Sequence, residues 1–238
     1  MFMRVLKHEI RAMFRDKMYA FLLFYPIIMA IAAYILTPIL VEQQNPLLRH
    51  ILTLFFITMN GFMFGAITGF TLLDDQDDHV LFSLKITPIK VKDYILIKLA
   101  ISYVLGVFAT LLIMITSGFI AHANPLNSLY IIILTPLHGP IIALLVNAFA
   151  HNKVEGFVIM KTSGLILIAP IAALFLTDWK ELFLSILPGF WPVRLISFEL
   201  VELPYFLKNI TAYFLLGVII NSLIIYVFYR IYKKRIAI

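Results

Sequence analysis

The 238 residues are 62% hydrophobic and 13% charged, with a mean hydropathy of +0.99. A soluble domain of this length has no use for so much apolar surface, whereas several runs of about 20 residues, each able to cross hydrocarbon, account for it. The lack of cysteine excludes disulfide frameworks, iron–sulfur clusters and a cysteine nucleophile. The net charge of +6 comes from basic residues flanking apolar runs, which points to membrane topology and anionic lipid and away from nucleic acid.

In residues 1–17, Leu6, Ile10, Met13 and Phe14 recur at helical spacing, while Arg4, Lys7, Arg11 and Arg15 occupy another face. The pattern predicts an amphipathic helix lying in the interface before the chain turns into a first span. Six spans follow, at about 18–40, 50–73, 94–120, 129–150, 156–177 and 211–232, in one transmembrane domain covering 1–238. Ala30-Ile31-Ala32 resembles a signal-peptide cleavage site, but the run is too long for an h-region and stays apolar beyond it, so the first span is retained.

Span two carries Gly61, Gly65 and Gly69, one helical turn apart, which lets a neighbouring backbone approach closely. Span four carries Pro136, His138, Gly139 and Pro140, which predicts a kink. Asn60 and His138 are polar residues within spans and are candidates for a pathway or gate. Asn147, Asn221 and Lys161 are polar within spans too; Lys161 can snorkel to the interface. The segment 178–209 is apolar but too short to cross. It holds both tryptophans, Trp179 and Trp191, and reads as two short helices broken at Pro188-Gly189 that dip into the outer leaflet; Pro188 and Trp191 join the gate candidates.

Cytoplasmic segments of membrane proteins are enriched in Lys and Arg. With six spans both termini share one side, and that side holds fifteen of the cations against four (Arg49, Lys180, Arg194 and Lys208) on the other. Both termini and the connection after span two are therefore expected in the cytoplasm.

That connection is a charged island, from Leu73 through Asp74, Asp75, Gln76, Asp77, Asp78 and His79 to Thr87-Pro88. Asp74 and Asp75 can cap a new helix of about ten residues with Asp77 and Asp78 in its first turn, where carboxylates complement the helix dipole. Val80, Leu81 and Leu84 then form an apolar ridge suited to a protein groove, Lys85 favours the C-terminal end, and Pro88 stops the helix. The chain has no Gly-x-x-x-x-Gly-Lys-Ser/Thr loop for nucleotide phosphates and no Gly-x-Ser-x-Gly elbow. His8-Glu9 opens a zinc-like pattern that Ala12 breaks, and His151 with Glu155 reads as an i,i+4 contact.

In order and spacing these features resemble the permease subunits of ABC-2-type exporters. The resemblance runs through Leu84-Lys85-Ile86-Thr87-Pro88-Ile89, the segment Tyr94 to Lys98, Asn152-Lys153-Val154-Glu155-Gly156-Phe157, and Leu187-Pro188-Gly189-Phe190-Trp191-Pro192. The family's Glu-rich, Gly-Thr-containing stretch is replaced here by residues 77–83.

The resemblance implies a multi-pass protein of a bacterial or archaeal plasma membrane. Its island would be a coupling helix, with Asp77, Asp78, Val80, Leu81, Leu84 and Lys85 meeting a separate ATPase subunit that binds ATP and Mg. A second permease copy or a sister permease would complete the transporter. The substrate would be a hydrophobic or amphipathic drug, antibiotic, peptide or lipid. The alternative is a secondary transporter or channel that needs no ATPase. It wants ionisable groups near the midplane, and the spans offer only His138 and Lys161, both off-centre. A membrane enzyme needs clustered catalytic residues at one depth, which the pattern lacks.

Overall fold

The computed structural model describes residues 2–236 except 85, 88, 177, 203 and 204, and describes no side chain at 2–6, 8, 18 or 166–169. Among the described residues there is helix and no strand, in keeping with a backbone that must satisfy its own polar groups in lipid. The α-helices are α1 (Phe2–Arg15), α2 (Lys17–Leu23), α3 (Tyr25–Glu42), α4 (Pro46–Asp77), α5 (Val80–Leu84) and α6 (Val91–Thr116). Then come α7 (Phe119–His122), α8 (Pro125–Leu134), α9 (His138–Phe149), α10 (Lys153–Ile168), α11 (Phe190–Leu200) and α12 (Ile210–Arg235). Among the described residues, six helical stretches are long and apolar enough to cross a membrane: Tyr19–Glu42, Pro46–Asp77, Val91–Thr116, Pro125–Phe149, Lys153–Phe175 and Ile210–Arg235. The protein is a multi-pass membrane protein with the six spans expected from its apolar runs.

Each departure from a straight span has a local cause. Span one breaks at Phe24, two residues before Pro26, whose ring nitrogen cannot donate to the preceding turn. Span three stops at Thr116, and Gly118 takes the left-handed conformation (φ 71°) that turns the chain into α7. Span four passes through a 3₁₀ turn, Thr135–Leu137, between α8 and α9, where Pro136 and Pro140 remove donors. Span five ends in a 3₁₀ segment, Ala169–Phe175, and a second, Trp179–Ile186, precedes α11 with the break at Leu187–Gly189.

Helix α4 is the central element, packed most extensively on α9 and then on α6, α3 and α10. The glycines set its distance from α9. A Cβ at Gly61 would lie 2.7 Å from His138 Cβ, one at Gly65 would lie 2.6 Å from the Gly139 carbonyl oxygen, and one at Gly69 would lie 3.4 Å from Ala143 Cα. Gly139 in turn faces α6, where its Cβ would stand 2.5 Å from Ser102 Oγ. Without a hydrophobic drive between helices in lipid, such close backbone packing supplies association.

Along α1, Ile10, Met13 and Phe14 face an apolar cavity of about 530 Å³ shared with Leu23, Phe64 and Ile101; the side chains of Arg4 and Leu6 lie outside the described residues.

Candidate functional site

Helix α1 and the end of α12 meet at one end of the bundle. Arg235, near the end of α12, donates from Nη1 to the Asn147 carbonyl (2.8 Å), and α1 reaches the same end through Glu9. There Glu9 of α1, Asp75 of α4 and Lys98 of α6 converge. Lys98 Nζ lies 2.6 Å from Asp75 Oδ2 and 3.1 Å from Glu9 Oε2, and the lysine is 2% exposed. The Tyr94 hydroxyl, one turn earlier on α6, stands 2.9 Å from Glu9 Oε1 and 3.0 Å from Asp75 Oδ2. Burying charges is costly unless each is paired and hydrogen-bonded, and this group meets both conditions.

The neighbouring residues extend the tie. Asp74 Oδ1 is 2.6 Å from Lys153 Nζ at the start of α10, and Asp74 Oδ2 accepts from the Tyr19 hydroxyl of α2. Gln76 Nε2 donates to Asn147 Oδ1 (2.7 Å) on α9, and Asn147 Nδ2 donates to the Gly69 carbonyl (2.9 Å). The last turns of α4 are thus joined to α1, α2, α6, α9 and α10. Span two accordingly continues to Asp77 and does not end at Leu73, because Asp74 and Asp75 are neutralised by cations from neighbouring helices.

This corrects the expected role of the aspartates. Asp74 and Asp75 do not cap a new helix; they lie inside α4 and pair with Lys153 of α10 and Lys98 of α6. Asp77 is the last residue of α4 and Asp78 its C-cap, so neither sits in the first turn of the helix that follows. That helix, α5, has five residues and not about ten. It leaves α4 through His79, whose φ of 57° lies in the left-handed region that non-glycine residues seldom adopt.

The apolar ridge is also turned from its expected direction. Leu81 is 5% exposed and packs with Leu72, Val91, Tyr94 and Tyr232, while Val80 and Leu84 are half-buried. The apolar side chains presented outward are Phe82 (60% exposed) and Ile86 (91% exposed), next to exposed Asp77 and Asp78. A five-residue helix has too little period for its faces to be separated by pattern alone. Lys85 and Pro88 lie outside the described residues.

The gate candidates occupy the other half of the bundle. His138 is fully buried at the head of α9, with Nε2 3.3 Å from the Pro188 carbonyl, so the two candidates touch. Trp191 is buried and donates from its indole nitrogen to the Ser185 carbonyl (3.0 Å); a Cβ on Gly217 of α12 would lie 2.9 Å from the Trp191 Cβ. Asn60 is buried on α4 and donates to the Phe56 carbonyl one turn back (2.9 Å).

Two buried charge groups escaped the sequence reading. Lys98 was legible only as a cation near the start of a span, and its partners Glu9 and Asp75 are far apart in the chain. Arg194, counted among the outer cations, is fully buried against Glu181, which also accepts from the Tyr213 hydroxyl. The guanidinium stacks over Phe190 and Tyr205, at 5.5 and 5.1 Å from their ring centres. Burial pushes the Tyr205 hydroxyl up to about 12, with Arg194 opposing that rise. Asn152 and Glu155 open α10 as a reciprocal cap: the Glu155 amide donates to Asn152 Oδ1 (3.0 Å), and the His151 amide donates to Glu155 Oε2 (2.6 Å). Among the described residues no group of His, Asp and Glu is placed to hold a metal ion.

Comparison with known proteins agrees with this membrane architecture. The chain is 24% identical over 200 residues to the fluoroquinolones export permease proteins Rv2686c and MT2760 of Mycobacterium tuberculosis strains H37Rv and CDC 1551. The match covers 79% of this chain and 78% of each relative. No solved structure matches. Residues 9–229 fit the family model described as fluoroquinolones export permease protein Rv2686c-like, and the chain belongs to that family of export permeases.

Proposed function

We propose that this chain is the membrane subunit of an ATP-driven exporter, with α5 and the turn after it docking on a separate ABC ATPase. The observation that carries the reading is the mounting of α5. An outward apolar pair, Phe82 and Ile86, with Asp77 and Asp78 beside it, follows directly on the end of α4, which Asp74 and Asp75 ion-pair to α10 and α6, with Glu9 of α1 on the same Lys98. A push on α5 reaches spans two, three and five at once, because Lys98 and Lys153 link those helices where α4 ends. Apolar anchors rimmed by charge are the kind of surface that seats in a protein groove.

The charge count supports placing this end in the cytoplasm, where ATP is, with α1 lying in the inner interface. ATP and Mg belong to the partner, and a second permease copy or a sister permease completes the transporter. The relatives are named for exporting fluoroquinolones, and a drug of that chemical class is the working substrate. Export would switch access between the two membrane faces as the bundle ends move.

The experiment is co-purification of tagged permease with its ATPase. The F82D/I86D double variant should reach the membrane in normal amount and lose the ATPase. Undiminished co-purification would refute the docking assignment.

A further inference from the structure

At the end of the bundle away from α1 and the end of α12, a cavity of about 440 Å³ opens between span one, the start of α4, the end of α6, α7 and α11. That volume suits a drug-sized molecule. Its lining includes charges of both signs, Arg49 with Glu42 and Glu199, and the aromatic rings of Tyr34 and Phe119. Glu199 is already fixed, accepting from the Asn124 amide (2.9 Å) and from the Asn127 side-chain amide. Arg49 is half-buried, and among the described residues no ion pair joins it to either carboxylate.

We infer that this cavity is a binding site for a small aromatic zwitterion, with the ligand's acidic group on Arg49 and its protonated amine toward Glu42 and Glu199. An unpaired guanidinium at a cavity wall is suited to bidentate capture of a carboxylate, and a held carboxylate offers an acceptor already oriented for an ammonium. The two rings line the same cavity. A ligand carrying both signs can engage Arg49 and the carboxylates together, which a purely hydrophobic cargo cannot. The assignment rests on the export reading and names its substrate class: many fluoroquinolones carry a carboxylate on a planar ring and a basic amine. A zwitterionic lipid headgroup shares part of that chemistry, lacking the ring.

The test is equilibrium binding of norfloxacin, followed by its own fluorescence, to purified permease in detergent, without ATP or ATPase. Arg49→Gln and Glu199→Gln should each weaken binding about tenfold. Arg49→Lys should lose less, and Lys208→Gln, an exposed cation outside the cavity wall, should change nothing. The melting temperature of each variant reports folding separately. Unchanged affinity in folded Arg49→Gln, or displacement of norfloxacin by stoichiometric short-chain phosphatidylethanolamine, overturns the inference. Loss of the cavity's role leaves ATP-driven transport measurable, whereas binding that persists with no ATP-driven transport removes the export reading instead.

Discussion

Lys98 Nζ lies 2.6 Å from Asp75 Oδ2, and this buried contact ties span three to span two just where α4 gives way to α5. Glu9 brings α1 to the same lysine. A displacement of α5 would load the end of α4, to which Lys98 and Lys153 are ion-paired, and α6 and α12 through Leu81.

Removing the lysine should expose that dependence. Lys98→Met leaves Asp75 and Glu9 as two buried carboxylates facing each other, and loss of one partner from a buried ion pair costs about 3–5 kcal/mol. The expected outcome is a markedly lower melting temperature in detergent. The double variant Lys98→Met/Asp75→Asn should recover part of the loss, a coupling that a double-mutant cycle measures directly. Additive effects in that cycle would contradict the contact.

The glycine row should respond unequally. A Cβ at Gly65 meets the Gly139 carbonyl at 2.6 Å, so Gly65→Ala must push backbone apart and should cost about 1–3 kcal/mol. At Gly69 the nearest atom would be 3.4 Å away, an ordinary contact, and Gly69→Ala should be nearly neutral. Size-exclusion profiles after graded heating would rank the two; equal damage would contradict the described approach of α4 and α9.

His79 is the hinge between α4 and α5. Its left-handed backbone favours glycine and penalises β-branched residues. His79→Gly should keep the fold and ATPase association. His79→Ile, strained at this φ, should weaken association without altering the amount of permease in the membrane. Equal behaviour of the two variants in co-purification would remove the hinge from the account.

Much of the architecture was legible because lipid imposes strong rules. A run of about 20 apolar residues can cross only as a helix, so the six spans were readable to within a few residues, and the prolines around His138 marked the kink in span four. The site was less legible, for two physical reasons. Charge partners distant in sequence, such as Glu9 and Lys98, leave no periodic trace, and the same holds for Arg194 and Glu181 despite their nearness. The aspartates looked like caps because a carboxylate before an apolar stretch is a common helix start. The structure instead finds cations for Asp74 and Asp75 on neighbouring spans, so α4 runs on and α5 is left short, with Leu81 inward and Phe82 outward.

The central claim is that ATP hydrolysis by a partner drives export through this chain. Norfloxacin accumulation in inverted membrane vesicles tests it most directly. With the permease and its ATPase present, uptake should require ATP, survive a protonophore, and fall to background in the F82D/I86D variant. Uptake that persists without ATP and collapses with the proton gradient would contradict the account.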